Sequence, residues 1–384
     1  MAESAFNGTG FSASPGGSSE ADAFADLGKV EAIDRLLRDS GYSVDGHAAF
    51  EPKDGGTVFQ ASRFFQEGLD FDLTYFPLKH LGYKCVVAVT GELFAAMARP
   101  RVLSVRLGIS AKFAFGHIQE LWSGIVTAAR EYGYVPPALD LVPCVNGLFI
   151  GLSAVGEELP LTRRRTPKPR SMDLLCVSGS LGAAFMGLQV LEREKTKFVT
   201  AAPSSSTGSD RADKFSGGPS SRPDAPSPRS GASSFHPDLE KYKMLVGSYL
   251  KPELSAGIID RLEDAEIYPS LGILVSNGLS DAVKRLARAS GLGAKIYADK
   301  IPFEGNTFAL GKELDIDPVS AAMNGGDDFR LLFAVPILQA EKFRRDFQTF
   351  DVIGHLAQAD VGSVLVTPDG AELPLRAQGW SDPE

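Results

Sequence analysis

From residue 201 to 235 the chain reads AAPSSSTGSDRADKFSGGPSSRPDAPSPRSGASSF and is almost free of large apolar side chains. A stretch this polar cannot bury enough surface to offset the entropy of ordering it. Any folded unit must therefore be assembled from the segments on either side. Helical and strand patterns resume beyond it, so 201–235 reads as a disordered insertion within a domain, not as a linker between domains. Residues 1–25, rich in Gly, Ser, Ala and Asn, read as a disordered tail. What remains of the 384 residues is long enough for two domains with sizeable cores.

Leu27, Val30, Ile33, Leu36 and Leu37 recur at helical spacing, with Gly41 as a stop. Pro77, a good first-turn residue, opens a second helix through LKHLGYKCVVAVTGELFAAMA. Leu103, Val105, Leu107 and Ile109 alternate with Ser104 and Arg106 as a strand does, and GLFIGLSAVG alternates again. Between these strands HIQELWSGIVTAAREYG is an amphipathic helix ending at Gly133. The proline-broken connector at 159–171 separates an N-terminal domain, 26–158, from a C-terminal one, 172–380. The latter opens with an apolar strand, a Ser-Gly turn and a helix, a unit that can hold an anion at the helix N-terminus. Helices at about 238–250 and 253–267, a strand at 271–275, a helix from Leu279 to Ser290 and four further strands complete an α+β domain.

The net charge of −9 gives no support to nucleic-acid or anionic-membrane binding. The basic run Arg163-Arg164-Arg165, interrupted soon after by prolines, reads as a solvated connector. Three cysteines, Cys85, Cys144 and Cys176, are far apart and odd in number, as expected of reduced thiols in the cytoplasm. Cys85 and Cys176 lie in apolar stretches and read as small core residues. No signal-peptide pattern or long apolar run points to a membrane, so the expected location is cytoplasmic.

Five ordered blocks carry a resemblance: EGLDFDLTYFPLKHLGYK (67–84), SGSLGAAFMGLQVLEREK (178–195), SNGLSD (276–281), NGGDDFRLLFAVP (324–336) and AQGW (377–380). Together they resemble thiamine-monophosphate kinase, of the aminoimidazole-ribonucleotide-synthetase-like superfamily. The resemblance implies an N-terminal half-barrel domain that pairs across a homodimer, and a C-terminal mixed-sheet domain. It also implies transfer of the γ-phosphate of ATP to thiamine monophosphate, with magnesium held by aspartates. Magnesium prefers carboxylate oxygen in octahedral geometry, and phosphoryl transfer relies mostly on positioning and charge neutralisation.

Placed on that pattern, the acidic positions are largely exchanged while scaffold residues stay. Asp45-Gly46-His47 stands for Gly-Asp-Asp, Arg63 for an aspartate, and Asp70 for a histidine. Glu92 keeps a carboxylate of different reach. Val145, Ser180, Leu274 and Asn277 stand where the pattern has aspartate. Gly325-Gly326-Asp327-Asp328 survives best.

The resemblance makes Ser178, Gly179, Gly325, Gly326 and Asp328 nucleotide-binding candidates, Asp70 and Trp380 substrate candidates, and Asp72 and Glu92 metal candidates. Glu92, Asp327 and Asp328 are the catalytic candidates. Each has a bland alternative. Asp327 and Asp328 also suit a solvated turn, and Glu92 a satisfied polar group in an apolar helix. Asp70 and Asp72, alternating with Leu69, Phe71 and Leu73, suit the polar face of a strand. His47 suits a surface residue, Trp380 a core one, and Asp281 reads as a helix cap. The favoured reading is a non-catalytic or weakly active paralogue that binds a nucleotide or phosphorylated ligand. The alternative is a working ATP-dependent kinase with a rearranged magnesium site.

Overall fold

The computed structural model describes residues 35–41, 57–159, 162, 165–201, 239–305 and 307–378. Expectations for the tail, for Asp45–His47, for Trp380 and for all but the first residue of the 201–235 stretch lie outside the described residues. The elements are β1 (Val58–Gln66), α1 (Leu78–Ala95), β2 (Ala98–Ile109), α2 (Phe115–Glu131), β3 (Ala138–Pro143), β4 (Leu148–Glu158), β5 (Leu174–Ser178) and α3 (Ala183–Ala201). They continue as α4 (Lys243–Leu250), α5 (Ile258–Asp264), β6 (Leu271–Val275), α6 (Leu279–Ser290), β7 (Gly293–Tyr297), α7 (Thr307–Leu314) and α8 (Pro318–Asn324). Last come β8 (Arg330–Val335), α9 (Ala340–Asp346), β9 (Phe350–Ala357), β10 (Ser363–Val366) and β11 (Glu372–Pro374).

Two mixed sheets result, as the α+β reading expects. The first has the order β1-β4-β2-β3, with β2 and β3 parallel and the other pairs antiparallel. The second has the order β11-β10-β7-β9-β5-β8-β6, in which only β10 and β7 run parallel. Strand β1 escapes the sequence reading because its outward face carries Val58 and Phe64, which hide the period-two contrast.

Helix α1 is buried on nearly every side, from Leu81 to Ala95. An all-round apolar helix belongs in the interior, and this one packs between the two sheets. It crosses α2 at glycines: a Cβ on Gly82 would lie 2.2 Å from the Leu121 carbonyl, and one on Gly124 would lie 1.9 Å from that of Lys79. Its C-terminal half lies on β6, where a Cβ on Gly272 would come within 2.2 Å of the Ala95 carbonyl. Leu274 is fully buried there against Gly91, a burial that contributes about 2 kcal/mol. Cys85 and Cys176 are buried core residues, as read.

Three local expectations change. Asp70 and Asp72 lie in two consecutive turns and not in a strand: Gln66 accepts from the amides of Leu69 and Asp70, and Asp72 accepts from those of Tyr75 and Phe76. The helix expected over 253–267 is only α5, because Pro252 and Gly257 hold the chain before it out of helical geometry. Gly278, at φ 89°, takes the N-cap of α6, and Asp281 sits in the first turn, where it pairs with Arg285 at 3.1 Å.

Candidate functional site

A cavity of about 630 Å³ lies between β1 of the first sheet and one end of the second sheet. Its walls come from the β1 end (Arg63), the turns at 68–75, helix α3 (Gln189, Glu192, Lys195), Tyr249 of α4, and two loops at the sheet's end. Those loops are Ser276-Asn277 and Asn324-Gly325-Gly326-Asp327. Glycine is demanded where they meet: Gly278 and Gly326 have φ of 89° and 87°, and a Cβ on Gly278 would lie 2.5 Å from the Met323 carbonyl. The Asp327 amide donates to the Ser276 carbonyl, locking the loops together. Asp327 and Phe329 are both left-handed, with φ of 63° and 47°, a strain that only a firmly held loop sustains.

Beneath this loop lies a buried cation. Lys84 of α1 is 2% exposed; its ammonium sits 3.1 Å from the Asp327 carboxylate and 3.6 Å from the centre of the Tyr249 ring. Burial pulls its pKa down, while Asp327 pulls it up. The Arg63 guanidinium stands 5.4 Å from the Phe329 ring and 5.6 Å from the Phe65 ring. Across the cavity, Lys195 donates to Asp72 at 2.7 Å and to Glu192 at 3.3 Å, and the Tyr75 hydroxyl donates to Glu192. Burial pushes Asp72 up, but the bonds from Lys195 and Thr74 outweigh it and hold its carboxyl below the ordinary range. Asp70 turns back on its own loop and accepts from the Gln66 amide at 2.7 Å.

The structure thus gathers Asp70, Asp72, Gly325, Gly326 and Asp327 around one cavity, together with Arg63 and Asn277. Other candidates go elsewhere. Ser178 and Gly179 line a second cavity of about 630 Å³ with Arg330, whose guanidinium covers Gly179. Asp328 is buried, and its carboxylate accepts from the amides of Gly182 and Ala184 at 2.9 and 3.3 Å. The helix N-terminus read as an anion site is therefore occupied by the chain's own Asp328 carboxyl. Burial raises the Asp328 carboxyl to about 7, although those two amides oppose it. Glu92 lies 3.9 Å from Arg285 and does not line the cavity; burial raises its pKa and Arg285 lowers it. Ser180 donates to Glu304 at 2.7 Å, and Val145 is exposed at the tip of the β3–β4 turn.

Lys84 was missed by the motif reading, although it is the only charged residue between His80 and Glu92 in an apolar helix. So were Gln189, Glu192 and Lys195, whose spacing of three puts them on one face of α3.

A magnesium cluster requires several carboxylates with free oxygens converging on one point. Here Asp327 is engaged by Lys84, Asp72 by Lys195, Glu192 by Tyr75 and Lys195, and Asp70 by a backbone amide. Among the described residues no three His, Cys, Asp or Glu side chains converge to hold an ion. The side chains around this cavity do not fit a magnesium cluster.

No protein-family model matches the chain. The curated thiamine-monophosphate kinase of Aquifex aeolicus is 21% identical over 271 residues, covering 70% of this chain and 73% of that protein. Its counterpart from Methanospirillum hungatei is 23% identical over 299 residues, covering 77% and 79%. Among solved structures, thiamine-monophosphate kinase from Stenotrophomonas maltophilia matches with a TM-score of 0.65 at 18% identity, over 88% of this chain and 96% of that one. AaThiL complexed with AMPPCP and TMP matches at 0.61 and 18%, over 91% and 96%. The hydrogenase maturation protein HypE of E. coli matches at 0.63 and 15%, over 91% and 97%. At these identities the structural matches show a shared fold.

Proposed function

We propose that this chain, a divergent relative of the thiamine-monophosphate kinases, binds a nucleotide or phosphorylated ligand in the Arg63–Asp327 cavity without appreciable kinase turnover. One observation carries this reading: the buried Lys84 ammonium engages Asp327, the carboxylate best placed on the glycine loop to hold a metal. Further support comes from Leu274, which is core at a position the family pattern gives to aspartate. The cavity retains polar groups suited to a phosphate: the Arg63 guanidinium, the side-chain amides of Asn277 and Asn324, and the glycine loop's backbone. Asp70 at its wall offers a carboxylate to a positively charged part of a ligand. AaThiL was solved with AMPPCP and TMP, which makes ATP and thiamine monophosphate the first ligands to try.

The competing reading is a working kinase that recruits Asp70, Asp72 and Asp327, all of which line the same cavity. A thermal-shift screen against ATP, ADP, thiamine monophosphate and thiamine diphosphate, with and without magnesium, separates the two. A ligand at 100 times its Kd adds about 2.7 kcal/mol. Stabilisation with no thiamine diphosphate formed from ATP and thiamine monophosphate in the same samples is expected; its formation selects the kinase.

We also assign the chain a two-fold dimer through the first sheet. Its outward face carries Val58, Phe64 and Phe149, with the two phenylalanine rings 5.8 Å apart, and Phe64 is 59% exposed. An apolar sheet face with an open edge at β1 is what a second copy covers. Among the described residues no helix is long and apolar enough to cross a membrane, and the free cysteines suit a cytoplasmic protein.

A further inference from the structure

The misfit between these side chains and magnesium has a counterpart in the cations beside them. Arg63 lines the cavity and is held by the faces of Phe65 and Phe329. Among the described residues no carboxylate pairs with it at contact distance. Lys195 is committed to Asp72 and Glu192, and Lys84 to Asp327. Arg63 is thus the cation whose planar fork of donors is left for a ligand, and such a fork matches phosphate oxygens. Lys84 does not line the cavity. It lies behind Asp327 and neutralises a carboxylate that would otherwise repel an incoming phosphate.

Resting on the reading of this cavity as a phosphate-ligand site, we propose that Arg63 and the Lys84–Asp327 pair replace divalent metal there, so that a phosphate-bearing ligand binds without magnesium. Arg63 contacts the phosphate directly. Lys84 is a positioning residue that acts through Asp327.

The test is calorimetric titration of the full chain with ADP, with inorganic pyrophosphate and with thiamine monophosphate, in EDTA and again in excess magnesium. The wild type should bind as tightly in EDTA as in magnesium. Arg63→Gln should bind about 10- to 100-fold more weakly, the loss of a charge-assisted hydrogen bond. Lys84→Met should also bind more weakly, because Asp327 then faces the phosphate unneutralised. Adding Asp327→Asn to Lys84→Met should restore binding, which a merely structural role for Lys84 would not do. Circular dichroism of each variant confirms its fold, and Arg63→Lys serves as a second variant with charge kept and fork lost. Binding that needs magnesium, or that survives Arg63→Gln and Arg63→Lys unchanged, overturns the metal-free mechanism and leaves the cavity's assignment standing. No binding of ADP, pyrophosphate or thiamine monophosphate under either condition overturns the assignment and the mechanism with it.

Discussion

The ammonium of Lys84 lies 3.1 Å from the carboxylate of Asp327, with only 3% of the lysine side chain exposed against 31% of the aspartate's. The two partners are therefore unequal. If the aspartate is lost, a charge is stranded under Tyr249, Phe76 and Phe329; if the lysine is lost, a carboxylate remains that can turn to water. Asp327→Asn should cost about 3 kcal/mol. Lys84→Met, which fills the aromatic surroundings with an apolar chain of similar length, should stay within about 1 kcal/mol of wild type. Urea unfolding measures both, and equal losses would show that Lys84 is not stabilised as a buried charge.

Asp328 gives the molecule a pH dependence of known sign. Its carboxyl is raised to about 7 in the folded chain, against about 3.9 when unfolded. Between those values the folded state binds the extra proton, so this group's contribution to stability falls as pH rises through the window from 4 to 7 and is level above it. The wild type should lose stability from pH 5 to pH 8 more steeply than Asp328→Asn. Parallel profiles for the two proteins would show that burial does not raise this carboxyl.

Much of this was legible beforehand, and what was not has a physical pattern. Leu279–Ser290 and the strand at 271–275 match α6 and β6 to the residue: the helix is amphipathic and bracketed by Gly278 and Gly291, and the strand is a short apolar run between Ser270 and Ser276. The alternation around Asp70 and Asp72 mimicked a strand, yet the chain turns twice there to bring Phe71 inward and leave Leu69 79% exposed. Among the site residues, the glycine loop was found because close backbone approach demands glycine. Lys84 was not, since its role depends on Asp327, 243 positions away. Asp328 could be proposed from its motif, but only the fold shows that it closes the end of α3.

Restoring single carboxylates should separate core from cavity. Asn277 is exposed at the cavity wall, so Asn277→Asp should change stability by no more than about 0.5 kcal/mol. Leu274 is fully buried against Gly91. Leu274→Asp loses its packing and buries an unpaired acid, for a cost of about 4 kcal/mol. Neither variant should gain stability from magnesium, as thermal melts with and without the ion would show. A magnesium-dependent rise in Leu274→Asp would reveal a latent metal site.

The first sheet makes its own prediction. Phe64→Asp places a charge on the outward face beside Phe149 while leaving the inward residues Ala61 and Phe65 untouched. Light scattering should report a dimer for the wild type and a monomer for the variant, with unchanged far-ultraviolet circular dichroism. A wild-type monomer at micromolar concentration would remove the dimer from the account.

The decisive measurement is turnover. Purified protein should transfer no appreciable phosphoryl group from ATP to thiamine monophosphate. Two phosphorylated reactants repel each other, and their approach must be offset by fixed positive charge aimed at the transferring group. Arg63 can hold one phosphate and Lys84 can mask one carboxylate, but together they do not bridge two phosphates in octahedral coordination. Losing one preorganised stabiliser commonly costs about 10²–10³ in rate, and groups that act as a unit are not recovered singly. Asn277→Asp should accordingly restore nothing measurable. Turnover on the order of 1 s⁻¹ in the wild type, abolished by EDTA and by Asp327→Asn in a variant still shown to be folded, would establish a kinase with a rearranged metal site and displace the binding protein described above.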